Sequence, residues 1–351
     1  MKVIMNKKLY LTFAVVALLA GMLCGCAGGQ NAGTKDATPR KVIIDTDTAG
    51  DDASALILAA KSSSIDILGV TVLEGNVDLE QATKNALASL EIAGCDAPVY
   101  KGADTTYTGE QIEAFSVYGN DGMGDKDIVH PVGKTMDQDA VDFIIETVKK
   151  YPDEVEIIAL GPATNIANAI DKDPAAMEHV KRIWSMGTAG LGPGNSSPVS
   201  EFNVMHDAPA YQRMLQAGMP ITIVGLDVCG GDALWTDAQF DKLSKVNEIG
   251  AFVTAAFSKL REYDASNGSA GKTMNCDSTA MMCAVTGDYV KNESLCHASC
   301  ITDPGEAYAM VIFYPEGRSY DVVKNDFEYN VTLVNEVDGA TFFNRYYQAI
   351  K

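Results

Sequence analysis

Basic residues are scarce in this chain. Its 351 residues carry 27 Lys and Arg against 47 Asp and Glu, a formal net charge of −20, or −23 without the three lysines of the first 26 residues. Holding a nucleic acid through its phosphates needs basic patches, so a polynucleotide partner is excluded. Histidine is rarer still: His130, His179, His206 and His297 are the whole set. The six cysteines after Cys26 are irregularly spaced and include no Cys-x-x-Cys pair. Cys296 and Cys300 enclose His297, but no second ligand pair accompanies them, which argues against a metal clip. No internal repeat or low-complexity tract follows residue 40. The longest apolar run, Leu9–Leu23, is too short for a comfortable membrane span.

That run follows Lys2, Lys7 and Lys8 and ends in Leu23-Cys24-Gly25-Cys26. The pattern is that of a secretory signal peptide, and its end resembles the bacterial lipobox. Residues 1–25 are therefore expected to be removed and Cys26 lipidated. Residues 26–40, rich in Gly and small polar residues, form a flexible tether, and residues 41–351 a single domain. The expected location is the outer face of a bacterial cell membrane, with the lipid anchor as the membrane contact. An exported chain can form a disulfide, but its pairing cannot be deduced.

Apolar strand-like runs alternate with helix-like ones. Strands are expected at 41–46, 65–73, 155–160, 181–186 and 221–226. Helices are expected at 51–61, 78–93, 140–150, from Ala163, and at 208–217. Continuous apolar strands joined by helices predict an α/β fold, an open, mainly parallel sheet with helices on both faces. Residues 235–286 read as helical, 308–314 and 327–334 as strands, and 340–350 as a closing helix. Trp235, just before a helix, reads as a hydrophobic staple rather than a base-stacking platform. His206, before Asp207, reads as a cap or a solvated ring.

Each strand end carries polar residues that a plain core would not need. The first ends in Asp45, Asp47, Asp51 and Asp52; the second in Glu74-Gly75-Asn76; the third in Gly161-Pro162-Ala163-Thr164-Asn165. After 181–186 come Asn195 and Glu201-Phe202-Asn203, and later Asn275-Cys276-Asp277 opens a helix. Four carboxylates in eight residues repel one another unless a hard cation such as Ca²⁺ or Mg²⁺ lies between them. In a parallel sheet all of these groups gather at one edge. Carboxylates, amides and a backbone carbonyl together suit calcium (Ca²⁺) plus a polyhydroxylated molecule.

The ordered set resembles the inosine–uridine-preferring nucleoside hydrolases, whose signature is an apolar strand ending in Asp-x-Asp-x-Gly-x-Asp-Asp. Here it reads Asp45-Thr46-Asp47-Thr48-Ala49-Gly50-Asp51-Asp52, with the glycine displaced by one position. The likeness continues through Gly69–Asn76, Leu160–Ala167, Met186-Gly187, Asn195, Glu201–Asn203 and Gly225–Val228. It implies calcium-dependent hydrolysis of the N-glycosidic bond of a ribonucleoside, in a dimer or tetramer. It implies that Asp47, Asp52, Asp277 and the carbonyl of Thr164 hold Ca²⁺, with Asp47 also the general base for water. Asp51, Asn76 and Asn203 would grip the 2′- and 3′-hydroxyls, Asn195 and Glu201 would reach the 5′-hydroxyl, and Asp45 would support the shell.

Two positions depart from the family pattern. A histidine that helps protonate the departing base is replaced by Cys276, which either donates that proton or is a small buried residue. Another histidine is replaced by Tyr118, either a stacking partner for the base or a loop anchor. Two other classes compete. A phosphatase of the haloacid dehalogenase type also begins with a strand and Asp-x-Asp. A nucleoside-binding lipoprotein would keep the ribose grip without a base.

Overall fold

The computed structural model describes residues 38–109, 117–320 and 327–351. The expected signal segment, Cys26 and most of the tether lie outside the described residues. The described part of Pro39–Lys351 forms one unit. Its first half alternates strictly: β1 (Arg40–Thr46), α1 (Gly50–Ala60), β2 (Ile65–Val72), α2 (Leu79–Ala93), β3 (Val99–Lys101), α3 (Ala140–Lys150), β4 (Glu156–Ala159), α4 (Thr164–Lys172), α5 (Pro174–Met177) and β5 (Arg182–Met186). Then follow α6 (Phe202–His206), α7 (Ala208–Leu215) and β6 (Ile221–Val224). The remainder holds a two-residue pair, β7 (Trp235–Thr236) with β8 (Lys272–Thr273), which encloses α8 (Asp237–Leu243), α9 (Glu248–Ala256) and α10 (Ser258–Ser266). It closes with α11 (Cys276–Val285), β9 (Val290–Cys300), β10 (Val311–Pro315), β11 (Val331–Val337) and α12 (Gly339–Ile350).

Nine strands make one sheet in the order β10-β9-β11-β6-β5-β4-β1-β2-β3. All neighbours from β11 to β3 are parallel, and only β9 runs against its partners. The central strands are buried throughout, as at Ile157, Ile183 and Ile223, which continuous apolar runs require when helices cover both faces. Two apolar clusters result, one on each side of the sheet. From β1 the chain winds outward to β2 and β3, then returns to β4 on the other side of β1. The crevice between β1 and β4 is therefore the topological switch point, where open α/β sheets bind ligands.

Every expected strand is present within a few residues, but β9 is an addition. Its first half is exposed, with Lys291, Asn292 and Glu293, and only Cys296, Ala298 and Cys300 are buried along its second half. The period-2 alternation puts His297 on the opposite face, stacked on Phe327 at 4.6 Å between ring centroids. Cys296, His297 and Cys300 therefore cannot converge on one ion. All six described cysteines are free thiols. The staple at Trp235 is present: Thr236 caps α8 in a capping box with Gln239, and the Trp235 ring lies 5.5 Å from Phe240. Trp235 is fully buried and packs on Phe257, Phe342, Phe343 and Tyr346 as well.

Candidate active site

The acids that follow β1 are fixed one by one. Asp45 is fully buried; its Oδ1 accepts from the Thr71 hydroxyl at 2.5 Å and the Asn165 amide at 2.8 Å. Burial pushes its carboxyl up to about 6 against those two hydrogen bonds. It does not line the cavity described below. Asp47 comes next, with Oδ2 accepting from the Asn76 amide at 2.6 Å and Oδ1 buried without a partner. Gly75 and Gly161 press on its carboxylate from two sides: a Cβ on Gly75 would overlap it, and one on Gly161 would stand 2.7 Å from Oδ1. Asp52, at the third position of α1, accepts from the Ala49 amide at 3.0 Å and the Thr46 hydroxyl at 2.6 Å. Gly50 opens α1 because any side chain there would meet Tyr118 and the Ala256 carbonyl.

Asp277, at the start of α11, completes the cluster from 225 residues further along the chain. Carboxylate oxygens of Asp51, Asp52 and Asp277 all lie within 4.8 Å of one another, and all three residues are buried. No Lys, Arg or His among the described residues pairs with any of these acids or with Asp47. Burial pushes Asp52 up to about 7, with the Asp51 charge adding to it. Burial likewise drives Asp47 and Asp277 well above the usual carboxylate range, helped by the neighbouring acids. Buried carboxylates in contact need a positive partner or a proton, and this donor set of hard oxygens fits Ca²⁺.

A cavity of about 880 Å³ opens over this cluster. Asp51, Asn76, Tyr118, Asn195, Glu201, Asn203, Cys276 and Asp277 line it, while Asp47 and Asp52 are fully buried outside the lining. Glu201 caps α6, accepting from the amides of Thr188, Asn203 and Val204. Burial raises its carboxyl to about 7 against those bonds. Asn203 donates to the carbonyls of Leu160, at 2.6 Å, and Met186, at 3.3 Å. Tyr118 is buried, and its hydroxyl donates to Asp51, so the residue anchors and orients that acid. Cys276 touches the buried thiol of Cys229; that contact, burial and the nearby charges of Asp51 and Glu201 hold its proton well above the usual thiol range.

Thr164 is buried at the start of α4, outside the cavity lining like Asp47 and Asp52, and its hydroxyl donates to Asp207 Oδ2 at 2.7 Å. One expectation needs correction. His206 is neither a cap nor solvated; it ends α6, is 3% exposed, and meets Glu74 Oε1 through Nε2 at 3.1 Å. Sequence reading also missed the opposite wall, where Leu234, Leu260, Tyr263, Asp264 and Met274 line the cavity from α10 and the flanks of β7 and β8. Tyr263 and Met274 are conspicuous as large exposed side chains, a signal that appears only after folding.

A doubly wound sheet with an acid-and-amide pocket at its switch point defines an α/β protein with a candidate site at the strand ends. Residues 42–344 match the family described as inosine-uridine preferring nucleoside hydrolase, and the chain belongs to that family. It is 38% identical over 213 residues to uridine nucleosidase 1 of Arabidopsis thaliana; the match covers 59% of this chain and spans only 63% of that protein's length. Among solved structures it resembles a plant nucleoside hydrolase, PpNRh1, at 29% identity and a TM-score of 0.84, over 89% of this chain and 99% of that one. The purine-preferring ribonucleoside hydrolase from Gardnerella vaginalis is similar too, at 29% identity and a TM-score of 0.81, over 89% and 98% of the two chains.

Proposed function

We propose that this protein hydrolyses the N-glycosidic bond of ribonucleosides, releasing free base and ribose, with Ca²⁺ held by Asp47, Asp52 and Asp277 beside Asp51. The observation that carries this reading is a buried cluster of carboxylates, unpaired with any described cationic side chain, beneath a cavity lined by Asn76, Asn195 and Asn203. Ca²⁺ there supplies the positive charge that keeps the acids ionised and lowers the proton affinity of a nearby water.

Asp51, Asn76 and Asn203 hold the 2′- and 3′-hydroxyls; Asn195 and Glu201 reach the 5′-hydroxyl. Asp47 takes the proton of the attacking water: one of its oxygens is fixed by the Asn76 amide, and the other is buried with no hydrogen-bond partner. As the bond to the base breaks, positive charge grows on the ribose ring, and the fixed carboxylates below it stabilise that charge. Cys276 lines the same cavity and stands as the candidate proton donor to the departing base.

A reducing-sugar assay across purine and pyrimidine nucleosides, with and without chelator, tests this. Sugar release that stops on chelation is the expected result. Tight nucleoside binding with no sugar over hours would instead identify a binding protein.

We also infer, from the Leu23-Cys24-Gly25-Cys26 pattern alone, that the mature protein hangs from a bacterial membrane by a lipidated Cys26. Cys26→Ser should move it from the membrane to the soluble fraction after export; unchanged partition would refute the anchor.

A further inference from the structure

A second polar pair stands in the cavity wall with no part in the chemistry above. His206 and Glu74 are 3% and 9% exposed, and Nε2 lies 3.1 Å from Glu74 Oε1. The carboxylate is an acceptor, so Nε2 carries a proton in this contact. The other ring nitrogen, Nδ1, is buried with no hydrogen-bond partner. A polar atom left unsatisfied in a buried wall is rare and calls for a reason.

The pair joins two segments that are 132 residues apart. Glu74 opens the turn after β2: its amide donates to the Ala103 carbonyl at 2.9 Å, and Asn76, two residues on, reaches Asp47 through its amide. His206 ends α6, three residues after Asn203, with its ring 5.6 Å from that of Phe202. Asn76 and Asn203 both line the cavity, and so does His206. α6 has only five residues, and a helix this short needs tertiary contacts to hold its place.

We propose that Glu74 and His206 are a positioning pair that fixes the spacing of Asn76 and Asn203, and so sets the preference for an intact ribose diol. The proposal rests on the ribonucleoside reading above. Both act through the two asparagines. Loss of the bond lets the two segments drift apart, which weakens the grip on a hydroxyl but leaves the apolar contacts to the base.

The test is calorimetric binding of pseudouridine and its 2′-deoxy analogue, whose C-glycosidic bond is not an N-glycosidic substrate, to the purified protein with Ca²⁺, so that binding is read without turnover and with Asp47 intact. His206→Leu removes the bond, whereas His206→Gln keeps an N–H near the Nε2 position. The ribose-over-deoxyribose preference should fall about tenfold in His206→Leu and return in His206→Gln. If His206→Leu does not fold, Glu74→Ala removes the same bond from the other side and is read the same way. Equal weakening of both nucleosides, or an unchanged preference, would overturn the proposal. Binding of neither nucleoside, even by the unsubstituted parent, would overturn both this and the ribonucleoside reading. A selective parent in a protein whose wild type releases no sugar would refute hydrolysis alone.

Discussion

Asp47→Asn should lower kcat about 10²- to 10⁴-fold, the range that a positioned general base contributes. The substitution is close to isosteric, which matters at this site. Gly75 and Gly161 leave no room around the carboxylate, so a larger replacement would displace the strand ends. The amide can keep the bond from Asn76 through its remaining oxygen, and the Asn76 amide stays in place. What disappears is the unpartnered oxygen that would take a proton from water. The same change alters a Ca²⁺ ligand, so the kinetics are read at saturating Ca²⁺, where KM should move less than kcat because Asn76, Asn203 and Glu201 remain where they are. Steady-state kinetics on the best nucleoside will decide the point. A variant within tenfold of wild-type kcat would remove Asp47 from the role of base.

The second large effect joins Ca²⁺ to pH. In chelated protein the folded state raises Glu201 and Asp52 to about 7 and Asp45 to about 6, from ordinary values of 4.5, 3.8 and 3.8. The folded chain thus keeps protons that the unfolded chain has already released. Stability must fall as pH climbs from about 4 to about 7, and then level off. By pH 7.5 Glu201 costs about 3 kcal/mol and Asp52 about 4 kcal/mol, from their shifts at 1.36 kcal/mol per pH unit. A cation on the cluster holds Asp52 ionised and removes its share, while the Glu201 share remains. Added Ca²⁺ should therefore raise Tm by roughly 5–10 °C at pH 7.5 and much less at pH 5, where protons compete for the same oxygens. Thermal melts at the two pH values, with Ca²⁺ and with chelator, test it. An equal shift at both, or none at pH 7.5, would show that the cluster is neutralised by protons alone.

The parallel half of the fold was legible because its strands are continuous apolar runs and its helices begin with acids or capping residues. Asp51, Asp52, Asn76, Glu201, Asn203 and Asp277 were legible as site residues for a related reason: polar side chains at the ends of buried strands have no business in a plain core. Other features were hidden for physical causes. The strand β9 mixes Lys291, Asn292 and Glu293 with small buried residues, so no apolar run marks it. The pair β7 and β8 is too short to carry a period. The burial of His206 depends on Glu74, a partner far away in sequence. The anchoring of Tyr118 depends on the folded loop that brings its hydroxyl to Asp51.

The two walls of the cavity differ in how much change they tolerate. The floor is made of strand ends and the turns after them, where Gly75 and Gly161 flank Asp47 with no space to spare. The opposite wall presents Tyr263 and Met274, which are 43% and 36% exposed, on short segments outside the main sheet. Heritable variation can therefore accumulate on that wall without disturbing the acids. A directed-evolution library meant to retune which base is accepted belongs at Leu234, Leu260, Tyr263, Asp264 and Met274, while the glycine-bounded floor passes unaltered from one specificity to the next.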